Sequence, residues 1–436
     1  MLNNTMYYQK DIETMPRKKL EELQLERLKW VVDYCLKNVP YYQKRLGEAG
    51  VTAEKIKTLS DIQYIPCTEK EAMREEYPFG LFAVSMKDIV RIHASSGTTG
   101  KPTVVGYTQN DINNWSDCVA RFCAAVGVTD EDTAQISFGY GLFTGALGLH
   151  YGLEKLGCAV IPVSSGNTEK QAMILKDFAP TVLVSTPSYA MYMGEVAREM
   201  GYDPQDIKLR VGLFGSEGCT LELRAKIEQN LGLFSTDNYG MSELMGPGVS
   251  GECMEREGLH FAEDHFIAEI IDSQTMQQLP IGETGELVIT TITKQGIPLL
   301  RYRTKDITRL NTDVCKCGRT HARMDKIKGR ADDMLKIRGV NVFPSQIESV
   351  MANIDGISPH YELVLTRKNY TDLLEVRIEL NNAEVLEHFS KLEKLREYAE
   401  AKLIAVLGVK ANVTFVSPKS LTRYEGKAKR IVDLRD

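Results

Sequence analysis

The most informative part of the sequence is the run His93-Ala94-Ser95-Ser96-Gly97-Thr98-Thr99-Gly100-Lys101-Pro102. It continues the segment Ile89–Ala94, which has the composition of a short strand. The glycines permit close approach of the backbone to a ligand, the backbone N–H groups donate hydrogen bonds, and the hydroxyls and the ammonium add charge-assisted ones. A strand that ends in such a loop predicts a polyphosphate site.

The loop differs from a Walker A motif, and an ordinary surface turn is the alternative to a phosphate site. Only two residues separate its glycines, and Pro102 stands where a Walker A motif needs Ser or Thr. A generic Ser-Ser-Gly tripeptide is more often a surface turn, but the full string favours phosphate binding. The predicted phosphate ligands are Ser95, Ser96, Gly97, Thr98, Thr99, Gly100 and Lys101.

Around this loop, short β-type runs alternate with helical segments, which predicts α/β layers with largely parallel strands. An earlier helix is predicted over 17–38, where apolar residues recur within a charged segment that Pro40 ends. Segment 266–310 is richer in strand signals and could form a barrel-like subdomain. The predicted strands are Ile89–Ala94, Cys158–Val163, Thr181–Ser185 and Arg210–Phe214, and the predicted helices are 110–126, 168–178, 187–200 and 220–231.

Length, composition and charge limit the class of protein. At 436 residues the chain is too long for one ordinary core, which predicts two or three domains. A hydrophobic fraction of 43% indicates a globular protein, and a net charge of −6 argues against nucleic-acid binding as the main activity. No run approaches the roughly twenty apolar residues of a spanning helix, and Lys10 and Asp11 interrupt the region where a signal peptide needs an apolar segment. We therefore expect a cytoplasmic protein with no membrane partner.

A change of pattern predicts a domain boundary at Gly329-Arg330-Ala331-Asp332-Asp333. A polar, basic stretch precedes this string, and a new mixture of helix and strand follows it. The helices expected there are 344–354 and 383–405, and the strands are 360–366, 373–380 and 411–417. The sequence thus predicts a large α/β N-terminal domain over 1–329, with several subdomains, and a small α+β C-terminal domain over 330–436.

Four further strings occur in the order found in one enzyme family. They are Tyr239-Gly240-Met241-Ser242-Glu243, Tyr302-Arg303-Thr304-Lys305-Asp306, Gly329-Arg330-Ala331-Asp332-Asp333 and Arg423-Tyr424-Glu425-Gly426-Lys427. With the phosphate loop, they resemble the signature elements of the adenylate-forming superfamily of acyl-CoA synthetases, luciferases and peptide-synthetase adenylation domains. The string from Lys336 to Pro344, the short length and the helical start are most similar to the phenylacetate–CoA ligase branch.

The resemblance implies an activity, a set of ligands and a mobile C-terminal domain. The expected enzyme is an ATP-dependent, AMP-forming ligase that activates phenylacetate or a related aromatic acid as an acyl-adenylate and passes it to coenzyme A. ATP, Mg²⁺ and coenzyme A are the implied ligands. Whether the protein forms a homodimer is left open.

The resemblance also assigns roles to residues of the nucleotide site. Glu243 would hold Mg²⁺, a hard cation that prefers oxygen ligands, and Asp306 would accept hydrogen bonds from both ribose hydroxyls. A helix-terminal carboxylate and a turn residue are the ordinary alternatives. Tyr239 would pack against the adenine or, equally, only against the core. The remaining expected nucleotide contacts are Gly215, Ser216, Glu217, Asn238, Gly240, Met241, Ser242 and Arg330.

The resemblance assigns residues of the C-terminal domain to both half-reactions. Lys427 would bridge the attacking carboxylate and the α-phosphate, where it balances redistributed negative charge; a solvated surface lysine is the alternative. Asp332 matches the hinge, about which the small domain would swing so that Arg338 and Gly339 face the coenzyme A tunnel. One fixed site could not present both Lys427 and a thiol entrance.

The loop Phe138-Gly139-Tyr140-Gly141-Leu142-Phe143 is the candidate for the acid pocket. Tyr140 and Phe143 could line a flat apolar site, and ordinary packing at the start of a helix is the alternative. The loop contains no Gly-x-Gly-x-x-Gly, so a dinucleotide site is not predicted.

The cysteines suggest a metal site. Cys315 and Cys317 have a knuckle-like spacing, tighter than usual by one residue, and Cys253 and His260 form a second pair upstream. Together they offer a Cys₃His set for structural Zn²⁺, although His265 or His321 could replace His260, and free reduced thiols are the alternative.

Two other functions stay open at this stage. An adenylating ligase could donate to an acceptor other than coenzyme A, and a catalytically idle regulator could only bind the nucleotide. The presence of both Lys101 and Lys427 argues against the regulator, because binding alone does not require the second lysine.

Overall fold

The computed structural model of the chain describes residues 7–94, 102–331, 335–337, 340–368, 371–383, 389–424 and 430–435. Within these residues the predicted long helix is confirmed at Arg17–Asn38, and the next helix begins at Pro40. The helices are α1 (Lys10–Glu13), α2 (Arg17–Asn38), α3 (Pro40–Glu48), α4 (Lys70–Glu75), α5 (Gln109–Ala125), α6 (Gly145–Leu156), α7 (Thr168–Asp177), α8 (Pro187–Glu199), α9 (Leu221–Leu231), α10 (Pro344–Ala352) and α11 (Phe389–Leu407).

The strands follow the predicted alternation with helices. The strands are β1 (Arg91–Ala94), β2 (Val104–Tyr107), β3 (Thr133–Ile136), β4 (Ala159–Ile161), β5 (Val182–Ser185), β6 (Val211–Gly215), β7 (Phe234–Met241), β8 (Gly246–Glu252), β9 (Leu259–Phe261), β10 (Phe266–Ile271), β11 (Thr284–Thr291), β12 (Tyr302–Asn311), β13 (Arg323–Met324), β14 (Gly329–Arg330), β15 (Leu335–Ile337), β16 (Val340–Val342), β17 (Ile357–Lys368), β18 (Thr371–Leu380), β19 (Ala411–Val416) and β20 (Ile431–Asp433). The four strands and four helices predicted between 89 and 231 are confirmed, with ends that differ by no more than two residues.

One large sheet organises the first 330 residues. Its strand order is β10-β11-β12-β13-β9-β8-β7-β6-β5-β3-β4, with β14 paired to β12. Strands β3 to β7 are parallel, and β5 and β6 are buried along their whole length, as expected for strands covered by helices on both faces. Two helices begin where the sequence provides caps, at Thr108 with Asp111 for α5 and at Thr186 with Pro187 for α8.

The strand-rich segment 266–310 is not a separate barrel. The first part of β12 pairs with β11, and its last two residues, Leu310 and Asn311, pair with β13. Because β12 is shared in this way, β10 to β12 form one end of the large sheet. The strand signals were correct, but which strands pair depends on contacts distant in sequence.

A second, smaller unit follows. Strands β19-β18-β17-β20 form a four-stranded sheet, and residues of α10 and α11 pack on it in a hydrophobic core that is separate from the main one. The predicted class, a large α/β N-terminal domain with a smaller C-terminal domain, is confirmed. The boundary between residues 329 and 330 stays a prediction. Among the described residues, we find no helix with the length and apolar character required to cross a bilayer.

Candidate active site

Part of the predicted site lies outside the described residues. It comprises the phosphate loop, the hinge aspartate, the coenzyme A pair and the C-terminal lysine. These residues are Ser95, Ser96, Gly97, Thr98, Thr99, Gly100, Lys101, Asp332, Arg338, Gly339 and Lys427. Their roles stay predictions, and the described part of the site is built from the segments around them.

The strand that leads to the predicted phosphate loop is tied to the predicted acid loop, residues 138–143. The Ala94 N–H donates to the Leu142 carbonyl oxygen at 2.9 Å, and His93 Nδ1 lies 3.0 Å from the same oxygen. The buried His93 ring stands edge-on to Tyr107, and burial lowers the pKa of His93. The structure therefore brings β1 and the acid loop together through a neutral imidazole.

Within the acid loop, the two predicted pocket residues differ in environment. The Tyr140 hydroxyl lies 3.0 Å from His150 Nδ1, and His150 Nε2 lies 3.0 Å from Glu154 Oε1. Burial raises the pKa of Tyr140, so the phenol stays neutral. Phe143 is 50% exposed. The loop thus combines a hydrogen-bonded phenol with an aromatic ring open to solvent.

The predicted adenine-flanking turn, residues 215–217, begins at the carboxyl end of β6. Gly215 pairs with Asn238 of β7, and Asn238 Nδ2 donates to the Phe214 carbonyl oxygen at 2.7 Å. A Cβ on Gly215 would lie 2.7 Å from the Asn238 carbonyl oxygen, so the close approach of two backbones requires glycine. The carboxyl ends of parallel strands are where α/β sheets bind ligands.

The rest of this turn is fixed by the start of α8. Glu217 Oε1 accepts a hydrogen bond from the Ser188 N–H at 2.6 Å, a favourable place for a carboxylate at a helix N-terminus. Ser216 has φ 71°, a left-handed conformation that is uncommon for a residue with a side chain. The turn is therefore held in one shape by contacts on both sides.

The string Tyr239–Glu243 ends β7 and enters a four-residue turn, residues 242–245, that leads to β8. A Cβ on Gly240 would lie 1.8 Å from the Gly246 carbonyl oxygen, so only glycine fits there. Met241 pairs with Gly246, and Ser242 Oγ lies 2.9 Å from Thr144 Oγ1 at the start of α6. We call residues 242–245 the Glu243 turn.

Glu243 is buried beside two residues that the sequence reasoning missed. Its Oε1 lies 3.3 Å from Lys70 Nζ of α4 and accepts a weak hydrogen bond from Thr103 Oγ1 at 3.4 Å. Lys70 falls in an ordinary charged helical segment, and no local signal separates it from surface lysines. A buried carboxylate provides the oxygen ligands that Mg²⁺ prefers. Its cationic partner, Lys70, is partly exposed.

A third missed residue, Lys294, supports the backbone of the same turn. Lys294 is 2% exposed, and its Nζ donates to the carbonyl oxygens of Glu243 and Leu244 at 3.0 and 2.6 Å. Burial lowers the pKa of Lys294 to about 8, and the nearby carboxylates of Asp111 and Glu243 partly offset this effect.

Three predicted nucleotide residues meet at β12. Tyr239 donates its hydroxyl hydrogen to Asp306 Oδ2 at 2.6 Å, and Arg330 Nη1 lies 3.3 Å from Asp306 Oδ1. Asp306 is 4% exposed, and its backbone pairs with Arg330 across β12 and β14. The sequence placed Tyr239 against adenine or core, whereas its described polar contact is with the predicted ribose ligand.

A group of four candidate metal ligands lies elsewhere, next to β9 and β13. One ligand atom from each residue lies within 4.8 Å of the others, and all four residues are buried. The group comprises Cys253, His260, Cys315 and Cys317. We call it the Cys₃His cluster.

The two alternative histidines are turned to other partners. His321 Nδ1 and Nε2 lie 2.8 and 3.0 Å from the carbonyl oxygens of Phe261 and Ile12. His265 Nδ1 lies 2.8 Å from Thr293 Oγ1, and burial lowers the pKa of His265 to about 4. His260 is therefore the histidine of the cluster.

The spacing within the Cys₃His cluster matches tetrahedral coordination. Bonds of about 2.3 Å to sulfur and 2.05 Å to nitrogen give edges of about 3.8 Å between sulfurs and about 3.6 Å between sulfur and nitrogen. Cys253 Sγ and Cys315 Sγ are 3.8 Å apart, and Cys317 Sγ lies 3.5 Å from His260 Nε2. The pKa of Cys317 is lowered, chiefly by the hydrogen bond with Cys253. Thiolate sulfur and imidazole nitrogen are a zinc donor set, so the residues fit that metal.

The C-terminal unit contacts two helices of the large N-terminal unit. His360 Nε2 of β17 lies 3.3 Å from Glu195 of α8, and Asn353 Nδ2, just after α10, lies 3.4 Å from Glu222 at the start of α9. Within the small unit, Arg430, three residues after Lys427, lies 3.0 Å from Glu348 of α10.

Comparison with known proteins identifies the family. The model of the AMP-binding enzyme family matches residues 29–293, and that of the AMP-binding enzyme C-terminal domain matches 339–435. The phenylacetate–coenzyme A ligase of Thermus thermophilus is 47% identical over 444 residues, which cover 99% of this chain and 100% of the relative.

A solved structure also matches the whole chain. The crystal structure of 2-hydroxyisobutyryl-CoA ligase in the postadenylation state has a TM-score of 0.92 and 29% identity, covering 98% of this chain and 92% of that one. The same enzyme in its thioesterification state gives a TM-score of 0.74, with 29% identity and coverage of 99% and 93%. The domains of this chain are thus arranged more as in the postadenylation state than as in the thioesterification state. The predicted resemblance to the adenylate-forming superfamily, nearest to phenylacetate–coenzyme A ligases, is confirmed: the chain belongs to the AMP-binding enzyme family.

Proposed function

We propose that this chain is an ATP-dependent ligase that joins phenylacetate, or a related aromatic acid, to coenzyme A through an acyl-adenylate, with release of AMP and pyrophosphate. The proposal is carried by one arrangement at the carboxyl end of β7, in a chain 47% identical to a phenylacetate–coenzyme A ligase over nearly its full length. There Tyr239 binds Asp306, and Ser242, next to Glu243, contacts Thr144, which follows the acid loop.

In the first step, a carboxylate oxygen of the acid bonds to the α-phosphorus of ATP, and the bond to pyrophosphate breaks. Catalysis of this step is mainly positioning and charge neutralisation. Asp306, held by Tyr239 and Arg330, would accept hydrogen bonds from the ribose hydroxyls. Glu243 would hold Mg²⁺, which would supply positive charge to the phosphates. Lys101 and the rest of the predicted phosphate loop contact the β- and γ-phosphates, a role that rests on the resemblance alone.

In the second step, the thiol sulfur of coenzyme A bonds to the acyl carbon, and AMP leaves. Lys427 belongs to the first step, whereas Arg338 and Gly339 border the thiol entrance after rotation about Asp332. These four assignments also rest on the resemblance.

The acid is aromatic in this proposal because of the acid loop. Phe143 offers an exposed ring, and Tyr140 offers a neutral phenol that His150 anchors. A flat ring beside these groups would bury apolar surface that is now open to solvent.

The Cys₃His cluster is part of the proposal as a structural Zn²⁺ site. Four protein ligands leave no open coordination position, so the metal would stabilise rather than react. The His260 Nδ1 lies 3.4 Å from the His321 carbonyl oxygen, a contact that directs Nε2 to the cluster.

The loop of the cluster also holds the N-terminal segment. The Tyr7 hydroxyl donates to the Cys317 carbonyl oxygen at 2.6 Å, and the Thr320 N–H donates to the Glu13 carbonyl oxygen at 3.1 Å. Arg319 and Glu13 form a buried ion pair at 2.7 Å. Zinc would therefore fix the loop that anchors residues 7–15.

Metal analysis tests this part of the proposal. Protein purified without chelator is expected to contain about one zinc per chain, because metal binding and folding are coupled at such sites. Co²⁺ exchanged into the site should give the absorption of a tetrahedral thiolate complex, and Cys67→Ala, outside the cluster, should change neither result. The assignment would be contradicted by purified protein that contains no zinc and is fully folded, or by protein whose thermal unfolding midpoint stays the same when its zinc is removed.

A cytoplasmic location and assembly as a homodimer complete the proposal, with no nucleic acid or membrane among the partners. The net charge of −6 supports the absence of a nucleic-acid partner. Light scattering of the purified protein would decide between dimer and monomer.

The activity is tested by supplying ATP, Mg²⁺, coenzyme A and a panel of aromatic and aliphatic acids. The expected result is AMP together with an acyl-CoA thioester, formed best with phenylacetate or a close relative. Acid-dependent pyrophosphate exchange without a thioester would refute coenzyme A as the acceptor. The absence of turnover with every acid would favour the nucleotide-binding regulator.

A further inference from the structure

The Glu243 turn is supported by side chains from two other segments. Lys294 Nζ binds the carbonyl oxygens of Glu243 and Leu244, and the Tyr107 hydroxyl lies 3.3 and 2.9 Å from the carbonyl oxygens of Ser242 and Met245. One lysine of the β11–β12 connection therefore donates to two backbone acceptors of the turn, and the single hydroxyl hydrogen of a tyrosine of β2 lies nearest to a third, the Met245 carbonyl oxygen. A buried turn satisfied in this way has a single backbone conformation.

The lysine is itself fixed in place. Its ammonium lies 4.9 Å from the centre of the Tyr107 ring, which stacks on Trp115 at 5.1 Å. The backbone next to Lys294 is held by Asp111, whose carboxylate accepts the N–H groups of Gln295 and Gly296 at 2.7 and 2.8 Å. Asp111 also caps α5, so the helix, the connection and the turn form one connected unit.

Among the described residues, by contrast, few side chains fix that of Glu243. Its described polar contacts are Lys70, whose side chain is 38% exposed, and the weak bond from Thr103. A ligand carboxylate must be oriented before the metal arrives, because a misdirected oxygen loses affinity. The orientation of Glu243 must therefore come largely from its backbone.

We propose that Lys294 is a positioning residue: by binding the carbonyl oxygens of residues 243 and 244, it fixes the backbone that aims the Glu243 carboxylate at the divalent cation of the ATP complex. The inference rests on the proposed role of Glu243. It also explains why a cation is buried against backbone carbonyl oxygens. An ammonium has three donors and a positive charge, so it can bind both carbonyl oxygens and face the Tyr107 ring.

The test measures cation binding rather than turnover. Mn²⁺ is titrated, with detection by electron paramagnetic resonance, into enzyme saturated with the non-cleavable α,β-methylene analogue of ATP. Lys294→Met keeps the length of the side chain and removes its donors. We expect it to weaken Mn²⁺ binding by about 10- to 100-fold, the usual cost of losing an outer-shell partner. Lys294→Gln keeps N–H donors but removes the charge, so its Mn²⁺ affinity should lie between those of Lys294→Met and the unmodified protein.

Two further variants keep the outcomes distinct. Glu243→Gln should weaken Mn²⁺ binding at least as much as Lys294→Met. Lys155→Met removes a lysine that also donates to a backbone carbonyl, that of Asn113 at 3.1 Å, and should leave binding unchanged. Thermal melting of each variant in the absence of ligands corrects for any unfolded fraction.

The results separate this inference from the proposed function. If Glu243→Gln weakens binding and folded Lys294→Met does not, the positioning role of Lys294 is wrong while Glu243 keeps its role. If neither variant changes binding, both assignments fail. If Lys294→Met alone weakens binding, Lys294 does not act through Glu243, and the inference is overturned.

Discussion

Replacing Asp306 by asparagine tests the nucleotide site most directly. The carboxylate is 4% exposed, and Tyr239 and Arg330 fix its two oxygens. If it accepts both ribose hydroxyls, Asp306→Asn must lose at least one charge-assisted hydrogen bond, because the amide nitrogen is a donor.

The size of the effect follows from the strength of such a bond. A hydrogen bond to a charged group contributes about 1.5–3 kcal/mol, and each 1.4 kcal/mol is about tenfold in affinity, so AMP binding should weaken by about 10- to 150-fold. Tyr239→Phe removes the hydroxyl 2.6 Å from Asp306 but keeps the carboxylate, and it should weaken binding less.

Calorimetric titration with AMP is the suitable assay. AMP binding requires neither the acid nor a contact between the phosphate loop and a γ-phosphate. Asp325→Asn is a matched control. The Asp325 carboxylate also forms an ion pair with a residue of β12, Arg309, at 2.9 Å, but both side chains are partly exposed to solvent. Folded Asp306→Asn protein that binds AMP within about twofold of the unmodified chain would refute the ribose assignment.

Two other variants give independent predictions. Lys427→Ala should abolish acyl-adenylate formation yet keep thioester formation from supplied acyl-adenylate, measured by product analysis; equal loss of both would reject the assigned role. Asp237→Asn should raise the thermal unfolding midpoint at pH 8 but hardly at pH 4. Burial raises the pKa of Asp237 to about 7, so the folded state retains a proton that the unfolded chain loses near pH 4, and stability falls as pH rises between these values. Each pKa unit is worth about 1.4 kcal/mol, so the gain is at most about 4 kcal/mol. An equal midpoint difference at both pH values would contradict this account.

Local pattern was sufficient for the elements that frame the site. Strands β5 and β6 are continuous apolar runs, and α5 and α8 begin at capping residues, so their bounds could be predicted. Gly240 could be predicted as part of a motif, but its physical reason, the Gly246 carbonyl oxygen in the place of a Cβ, is a contact across a hairpin.

The residues that support the site could not be predicted because their partners are distant in sequence. Lys70 and Lys294 reach the Glu243 turn from segments with no distinguishing pattern. The choice of His260 over His265 and His321 required the fold, because those two histidines are hydrogen-bonded to Thr293 and to the carbonyl oxygens of Phe261 and Ile12. The spacing of the cysteines gave the donor types, and the fold gave the fourth ligand.

The pairing of β12 with β14 bears on the predicted hinge. Arg330 is joined to β12 by the backbone pair with Asp306 and by the ion pair between their side chains, and the Ala331 N–H donates to the Lys305 carbonyl oxygen at 2.7 Å. A rotation that began before residue 332 would break these bonds and disturb the proposed ribose ligand between the two half-reactions. In the proposed mechanism the nucleotide stays bound while the acyl group awaits the thiol, so the proposed rotation would begin after Ala331. The predicted hinge, Asp332, is the next residue in the chain.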